Sequence, residues 1–235
     1  MKQITFRMIS LTTLIYISFL LCTLNMVQAQ TQKNSGIHYI YLVRHGSYDY
    51  DANATDNRVS NGLNTLGHEQ AKLIGKRLAA LPIKFTHFAS SEFLRAKQTA
   101  DDMGKIMNLT PLRDSLLNEC MPTSNNTDIM KGAKPADSDA CDSARYRAWK
   151  YWFAATPASD TYDLLVCHSG VITWTALHAV GADTRDWNNM DIGNASLTII
   201  AIKPDGTASL VMYSDVGHLP VEKQTWSATG GGWVK

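Results

Sequence analysis

Two short apolar runs in this chain end in the same way, and that repetition restricts the fold more than any other feature. Residues 37–43 (IHYIYLV) lead into Arg44-His45-Gly46, and residues 163–167 (DLLVC) lead into His168-Ser169-Gly170. Runs that are apolar on both faces predict strands covered on both sides, as in the middle of a parallel sheet. Between them the pattern changes to a helical period. Ala71, Ile74, Leu78 and Leu81 share one face of a helix expected from about Gly67 to Leu81, capped by Thr65 and stopped by Pro82. A strand is expected over 85–89 and helices over 94–107, 145–155 and from Ser169 to about Val180. Residues 197–202 and 208–213, joined by Lys203-Pro204-Asp205-Gly206, read as a hairpin, whereas 47–64 and 118–142 read as polar loops. This alternation predicts an α/β fold: a three-layer α/β/α sandwich around a mostly parallel central sheet, formed by one domain over residues 30–235.

In an open parallel sheet, ligands gather beyond the carboxyl ends of the strands. If the two matching strands are neighbours, about 4.8 Å apart, His45 and His168 project into one crevice, and Gly46 and Gly170 let the backbone turn beside them. Arg95 opens the helix after Ser90-Ser91-Glu92-Phe93-Leu94 and faces the same crevice. With Arg44 it offers planar donor forks suited to phosphate oxygens. A metal centre needs a third ligand at local spacing, and none stands near either histidine, so no metal and no cofactor is expected. His68, His87 and His178 fall within ordinary helix and strand patterns. Trp149 and Trp152, one turn apart, read as a core-facing pair.

The 22 Lys and Arg nearly balance the 21 Asp and Glu, which leaves no basic excess for a nucleic-acid backbone. The first 29 residues differ from the rest. Lys2 and Arg7 precede a nearly charge-free stretch from Ile9 to Val27, and Val27-Gln28-Ala29 resembles a secretory cleavage site. The expectation is a signal peptide and a periplasmic or secreted protein, with an uncleaved membrane anchor as the alternative. In an oxidising compartment Cys120 and Cys141 would close the intervening polar stretch, contributing roughly 3 kcal/mol in chain-entropy terms. A reducing one would leave both as thiols. Cys167, in an apolar run, is expected to be buried and inert.

Four blocks together resemble the histidine phosphatase (phosphoglycerate mutase-like) superfamily. They are Arg44-His45-Gly46, Leu66-Gly67-His68-Glu69-Gln70-Ala71, the segment from Ser90 to Ala100, and Val166-Cys167-His168. The stretches YLVRHGSYDYDAN, LLNEC and VCHSGVITW are most similar to the branch of mitochondrial serine/threonine protein phosphatases. The resemblance implies that His45 is a nucleophile forming a phosphohistidine, and that Arg44, Arg95 and His168 clamp the phosphate oxygens. It implies that Glu119 is the general acid and base. The implied substrate is a phosphorylated small molecule or a phosphoprotein.

Mutase relatives carry further arginines for a second acidic group. Residues 121–140 hold only Lys131 and Lys134 as cations, which favours hydrolysis over transfer. An envelope sugar or lipopolysaccharide phosphatase and a non-catalytic phosphate-sensing domain are the other expectations to be tested. A serine hydrolase using Ser169 fails, because Cys167 stands where a nucleophile elbow needs glycine.

Overall fold

A computed structural model describes residues 36–156 and 158–226. Six strands form one sheet: β1 (His38–Arg44), β2 (His87–Ser90), β3 (Leu112–Arg113), β4 (Thr161–Cys167), β5 (Leu197–Ile202) and β6 (Ala208–Asp215), in the order β3-β2-β4-β1-β5-β6. The four strands from β3 to β1 are parallel, and the β5–β6 hairpin joins β1 antiparallel. The principal helices are α1 (Thr65–Ala79), α2 (Leu94–Met107), α3 (Pro135–Trp152) and α4 (Ser169–Ala179).

The side-chain alternation of the strands divides the core in two. Leu164 and Val166 of β4 pack with Ile74 and Leu78 of α1 and with Ala96, Ala100 and Met103 of α2. Leu165 and Cys167 face the other way, towards Trp152 of α3 and Val171 and Ile172 of α4. The sheet is therefore covered on both faces, which explains why β1 and β4 carry no polar side to read.

Three local expectations need correction. Asn64, not Thr65, caps α1: its side chain accepts the Gly67 N–H at 2.9 Å. The helix expected over 145–155 begins ten residues earlier, at Pro135, inside the segment read as loop. Its buried stripe is Ser138, Cys141, Arg145, Ala148 and Trp152, spaced as a helix face should be. Serine and arginine in that stripe conceal the period. Gly46 and Gly170 do not supply left-handed turns, as neither has a positive φ. They supply space instead: a Cβ on Gly46 would sit 2.5 Å from the Gly67 carbonyl oxygen, and one on Gly170 would sit 2.7 Å from Glu119 Oε1.

Cys120 and Cys141 are joined in a disulfide, with Cα atoms 5.8 Å apart. Cys167 is a buried thiol whose pKa burial pushes up to about 12, an inert state. Trp149 packs against the core that contains Trp152. The segment 1–29 lies outside the described residues.

Candidate active site

β1 and β4 are neighbours in parallel register, with Arg44 opposite Cys167. The chain leaves both strands side by side, and the His45 N–H donates to the Cys167 carbonyl at 3.0 Å. The rings of His45 and His168 consequently lie 5.2 Å apart. Three elements hold the turn after His45. Thr99 of α2 accepts the Gly46 N–H at 3.0 Å, Gln70 of α1 accepts the Ser47 N–H at 2.8 Å, and Asn194 donates to the His45 carbonyl at 3.2 Å.

The hydrogen bonds of His45 settle its tautomer. Nδ1 lies 2.8 Å from the Gly46 carbonyl and must donate to it, which leaves the Nε2 lone pair to accept from Arg95 Nε at 3.2 Å. Burial, then the charges of Arg44 and Arg95, holds the ring well below the usual imidazole pKa. The site thus contains a neutral imidazole whose unprotonated nitrogen faces an arginine.

Arg44 donates from Nη1 to the Ile192 carbonyl at 2.7 Å, and its buried Nε has no partner. Burial lowers its pKa to about 10, so it remains a cation at neutral pH. Arg95 is held by Asn57 at 3.1 Å and lies over the rings of Tyr48 (4.9 Å) and Phe93 (5.4 Å). His168 Nε2 contacts Ser91 Oγ at 2.8 Å, Ser91 donates its proton to Asn118 Oδ1, and Nδ1 of His168 is buried without a partner. Burial, then the charges of His45 and Arg95, lowers the His168 pKa well below its usual value.

Glu119 approaches from the loop after the turn at Ser115–Leu117. The residue is half-buried, but Oε1 is enclosed, unpartnered, and set over Gly170. Burial raises its pKa, against the opposing charges of Arg145, Arg95 and Arg44. The structure therefore brings His45, His168, Arg44, Arg95 and Glu119 to one end of the sheet. Sequence reasoning missed Ser91, Asn118, Thr99 and Gln70, which lie within or beside the blocks read above but whose role is to hold backbone. It also missed Arg145, which has no local signature.

The family model for the histidine phosphatase superfamily (branch 1) matches residues 40–163 and 140–215. The chain belongs to the histidine phosphatase superfamily. It is 35% identical over 203 residues to the mitochondrial serine/threonine-protein phosphatase Pgam5 of Caenorhabditis elegans, covering 83% of this chain and 68% of that protein. It is 33% identical over 196 residues to PGAM5 of Xenopus tropicalis, covering 81% and 69%. Among solved structures, phosphoglycerate mutase from Bacillus anthracis superposes with a TM-score of 0.60 at 19% identity, covering 80% of this chain and 97% of that one. The alpha-ribazole phosphatase of Shigella flexneri gives 0.57 at 18%, covering 75% and 96%. At that identity the likeness establishes the fold alone. As a histidine phosphatase, the chain is a phosphoric monoester hydrolase.

The same comparison corrects the expected location. The matched relatives are mitochondrial proteins, and nothing in the matches supports a signal peptide or a secreted or periplasmic enzyme. A basic start followed by an apolar run reports affinity for a membrane interior, not which compartment receives the rest of the chain.

Proposed function

We propose that this histidine phosphatase hydrolyses phosphoserine and phosphothreonine esters in proteins, with the residues at the end of β1 and β4 in the following roles. His45 Nε2 attacks phosphorus as the bond to the leaving oxygen breaks, giving a phosphohistidine and an alcohol. The Gly46 carbonyl, already bonded to Nδ1–H, stabilises the positive charge the ring gains. Arg44 and Arg95 bind the phosphoryl oxygens; the Nε2–H of His168 is engaged by Ser91, so its unpartnered Nδ1 joins the pocket by taking up a proton with the incoming anion and donating it to a phosphoryl oxygen. Glu119, whose pKa burial raises, gives its proton to the leaving oxygen; as a carboxylate it then takes one from the attacking water. The P–N bond breaks, phosphate leaves, and His45 and Glu119 return to their starting states. The charge comes from protein side chains, and no step calls for a metal.

The observation that carries this reading is the His45 tautomer: a buried, neutral imidazole whose Nε2 lone pair faces Arg95, so that a phosphate taking over that arginine's donor frees the lone pair for attack. The proteinaceous substrate is supported by the serine/threonine-protein phosphatases to which the chain is similar over four-fifths of its length. A sugar or lipopolysaccharide phosphatase of the envelope loses its support with the corrected location.

The test is to mix enzyme with 32P-labelled phosphoserine and phosphothreonine peptides and quench in alkali, where phosphohistidine survives. Wild type should carry label with or without chelator, and His45→Ala should carry none. Label on the alanine variant, or turnover that chelation abolishes and zinc restores, would overturn the mechanism. An inert, well-folded wild type would favour a phosphate-sensing domain.

A further inference from the structure

Glu119 must lose and regain a proton in every cycle. The hydrogen bond its carboxyl receives comes from the Gly170 backbone, and Oε1 has no side-chain partner. Its position therefore depends on the chain around it, and the residues on either side of it are both tied to one side chain. Arg145 Nη2 donates to the carbonyl of Asn118 and to Cys120 Sγ, the latter at 3.0 Å. The guanidinium reaches them from the buried stripe of α3, where Arg145 is 3% exposed and where an apolar residue would be expected. One turn before it on the same stripe, Cys141 is bonded to Cys120. On the other side, Asn118 accepts from Ser91 Oγ and the Glu92 N–H, both at 2.8 Å, and Ser91 Oγ contacts His168. The acid's loop is thus fixed between α3 and the phosphate pocket. Nε and Nη1 of Arg145 have no hydrogen-bond partner. Burying a cation this incompletely paired is costly, and among the described residues no carboxylate forms a direct ion pair with it.

We propose that Arg145 is the positioning residue for Glu119: from the core face of α3 it grips the Asn118 carbonyl on one side of the acid and the disulfide sulfur of Cys120 on the other, and leaves the carboxyl free to exchange its proton. The inference rests on Glu119 being the proton donor proposed above. It extends that reading by assigning a function to a charge in the core that hydrogen-bonds to neither His45 nor either phosphate-binding arginine.

The experiment is a double-mutant cycle of Arg145→Met and Glu119→Gln, read on a phosphoserine peptide, whose alkoxide leaving group needs a proton, and on para-nitrophenyl phosphate, whose leaving group needs little help. Arg145→Met should lower kcat on the peptide by about tenfold or more, while KM and the aryl turnover stay within about threefold. Arg145→Lys, which keeps the charge but loses the fork, should fall between. In the Glu119→Gln background Arg145→Met should cost no more than about twofold, since the group it positions is already gone. Equal losses on both substrates, or a full loss in the Glu119→Gln background, would overturn the proposal and leave Arg145 a structural residue. A Glu119→Gln variant with no leaving-group bias would instead remove Glu119 as the acid, a distinguishable failure. Should Arg145→Met not fold, Arg145→Lys in both backgrounds decides by the same two criteria.

Discussion

Histidines and carboxyl groups stand at both ends of β1 and β4, and the two ends treat them in opposite ways. Where the strands begin, His38 is 5% exposed; where they end, His45 is 2% exposed. Burial is therefore the same, and it pulls both imidazoles towards the neutral form. The neighbours differ. His38 Nδ1 lies 2.8 Å from the Ala154 carbonyl and Nε2 lies 3.0 Å from Asp163 Oδ2. Both nitrogens face acceptors, so both carry protons, and these bonds outweigh burial to hold the His38 pKa above its ordinary value. At the other end one acceptor, Gly46, and one donor, Arg95, allow a single ring proton, and two arginines reinforce burial. The carboxyl groups follow suit. Asp163 is occupied on both oxygens, by His38 and by His87 at 2.8 Å, whereas Glu119 Oε1 is left without a partner. One end of the sheet satisfies its charges, and the other leaves Arg44 Nε, His168 Nδ1 and Glu119 Oε1 without partners. Stability and the proposed catalysis are thus separated along a pair of seven-residue strands.

The comparison breaks most directly if each end is altered in turn. His45→Asn should lower turnover by at least about a thousandfold, because the proposed nucleophile is lost while Arg44 and Arg95 stay. Its unfolding free energy should change little, since no stabilising ion pair is removed. Asp163→Asn should do the reverse. It removes the charge opposite a buried imidazolium, which costs about 3 kcal/mol when one partner of a buried pair is deleted. Its kcat should be unchanged. Urea unfolding and phosphatase assays on the two variants check both halves, and an Asp163→Asn enzyme that is stable but inactive would show that the ends are coupled.

Much of this arrangement is legible in the sequence, for identifiable reasons. The paired strand ends are local signals: an apolar run, then Arg44-His45-Gly46 or His168-Ser169-Gly170. The structure brings Arg44, His45 and His168 together as those signals imply, with Arg95 beside them at the start of α2, which spans Leu94–Met107 as expected; Glu119, at the same end of the sheet, was singled out only by the family resemblance. What was not legible depends on partners distant in sequence. His38 and His87 acquire their meaning from Asp163, more than seventy residues away from either. The first half of α3 was hidden because Ser138 and Arg145 occupy positions that a hydrophobic period reserves for apolar residues. Strand β3, with two exposed residues, offers no period to detect.

The two carboxyl groups sharpen the comparison at a smaller scale. Glu119→Gln keeps the shape and removes the exchangeable proton. It should cost about a hundredfold on alkyl phosphates and less than about tenfold on activated aryl phosphates, the difference being the share of general-acid help each leaving group needs. Burying a carboxyl without a partner is unfavourable, so the same variant should not be less stable than wild type. Equal losses on both substrates would mean that Glu119 acts on phosphate binding instead, and the contrast with Asp163 would lose its catalytic half.

The smallest effect is the pH dependence of stability, and its sign differs between the ends. His38 has a folded pKa above the unfolded value of about 6.5. Its contribution is therefore complete below about pH 6.5 and is lost as pH rises through the folded value, by about 1.4 kcal/mol for every pH unit that separates the folded and unfolded values. His45 and His168 have folded values well below 6.5, and so does His218, lowered to about 4 mainly by burial. Below about pH 6.5 the unfolded chain binds protons that these folded groups refuse, so stability falls as the solution becomes more acidic. These histidines together place a maximum near pH 6.5. Unfolding midpoints measured from pH 5 to 9 should show both limbs. Asp163→Asn should flatten the alkaline limb and leave the acid one. His45→Asn should shallow the acid limb without abolishing it, because His168 and His218 remain. A wild-type stability that climbed steadily from pH 6 to 9 would mean that His38 is not held as an imidazolium, and the two ends would then differ in the chemistry they perform but not in the charge they keep.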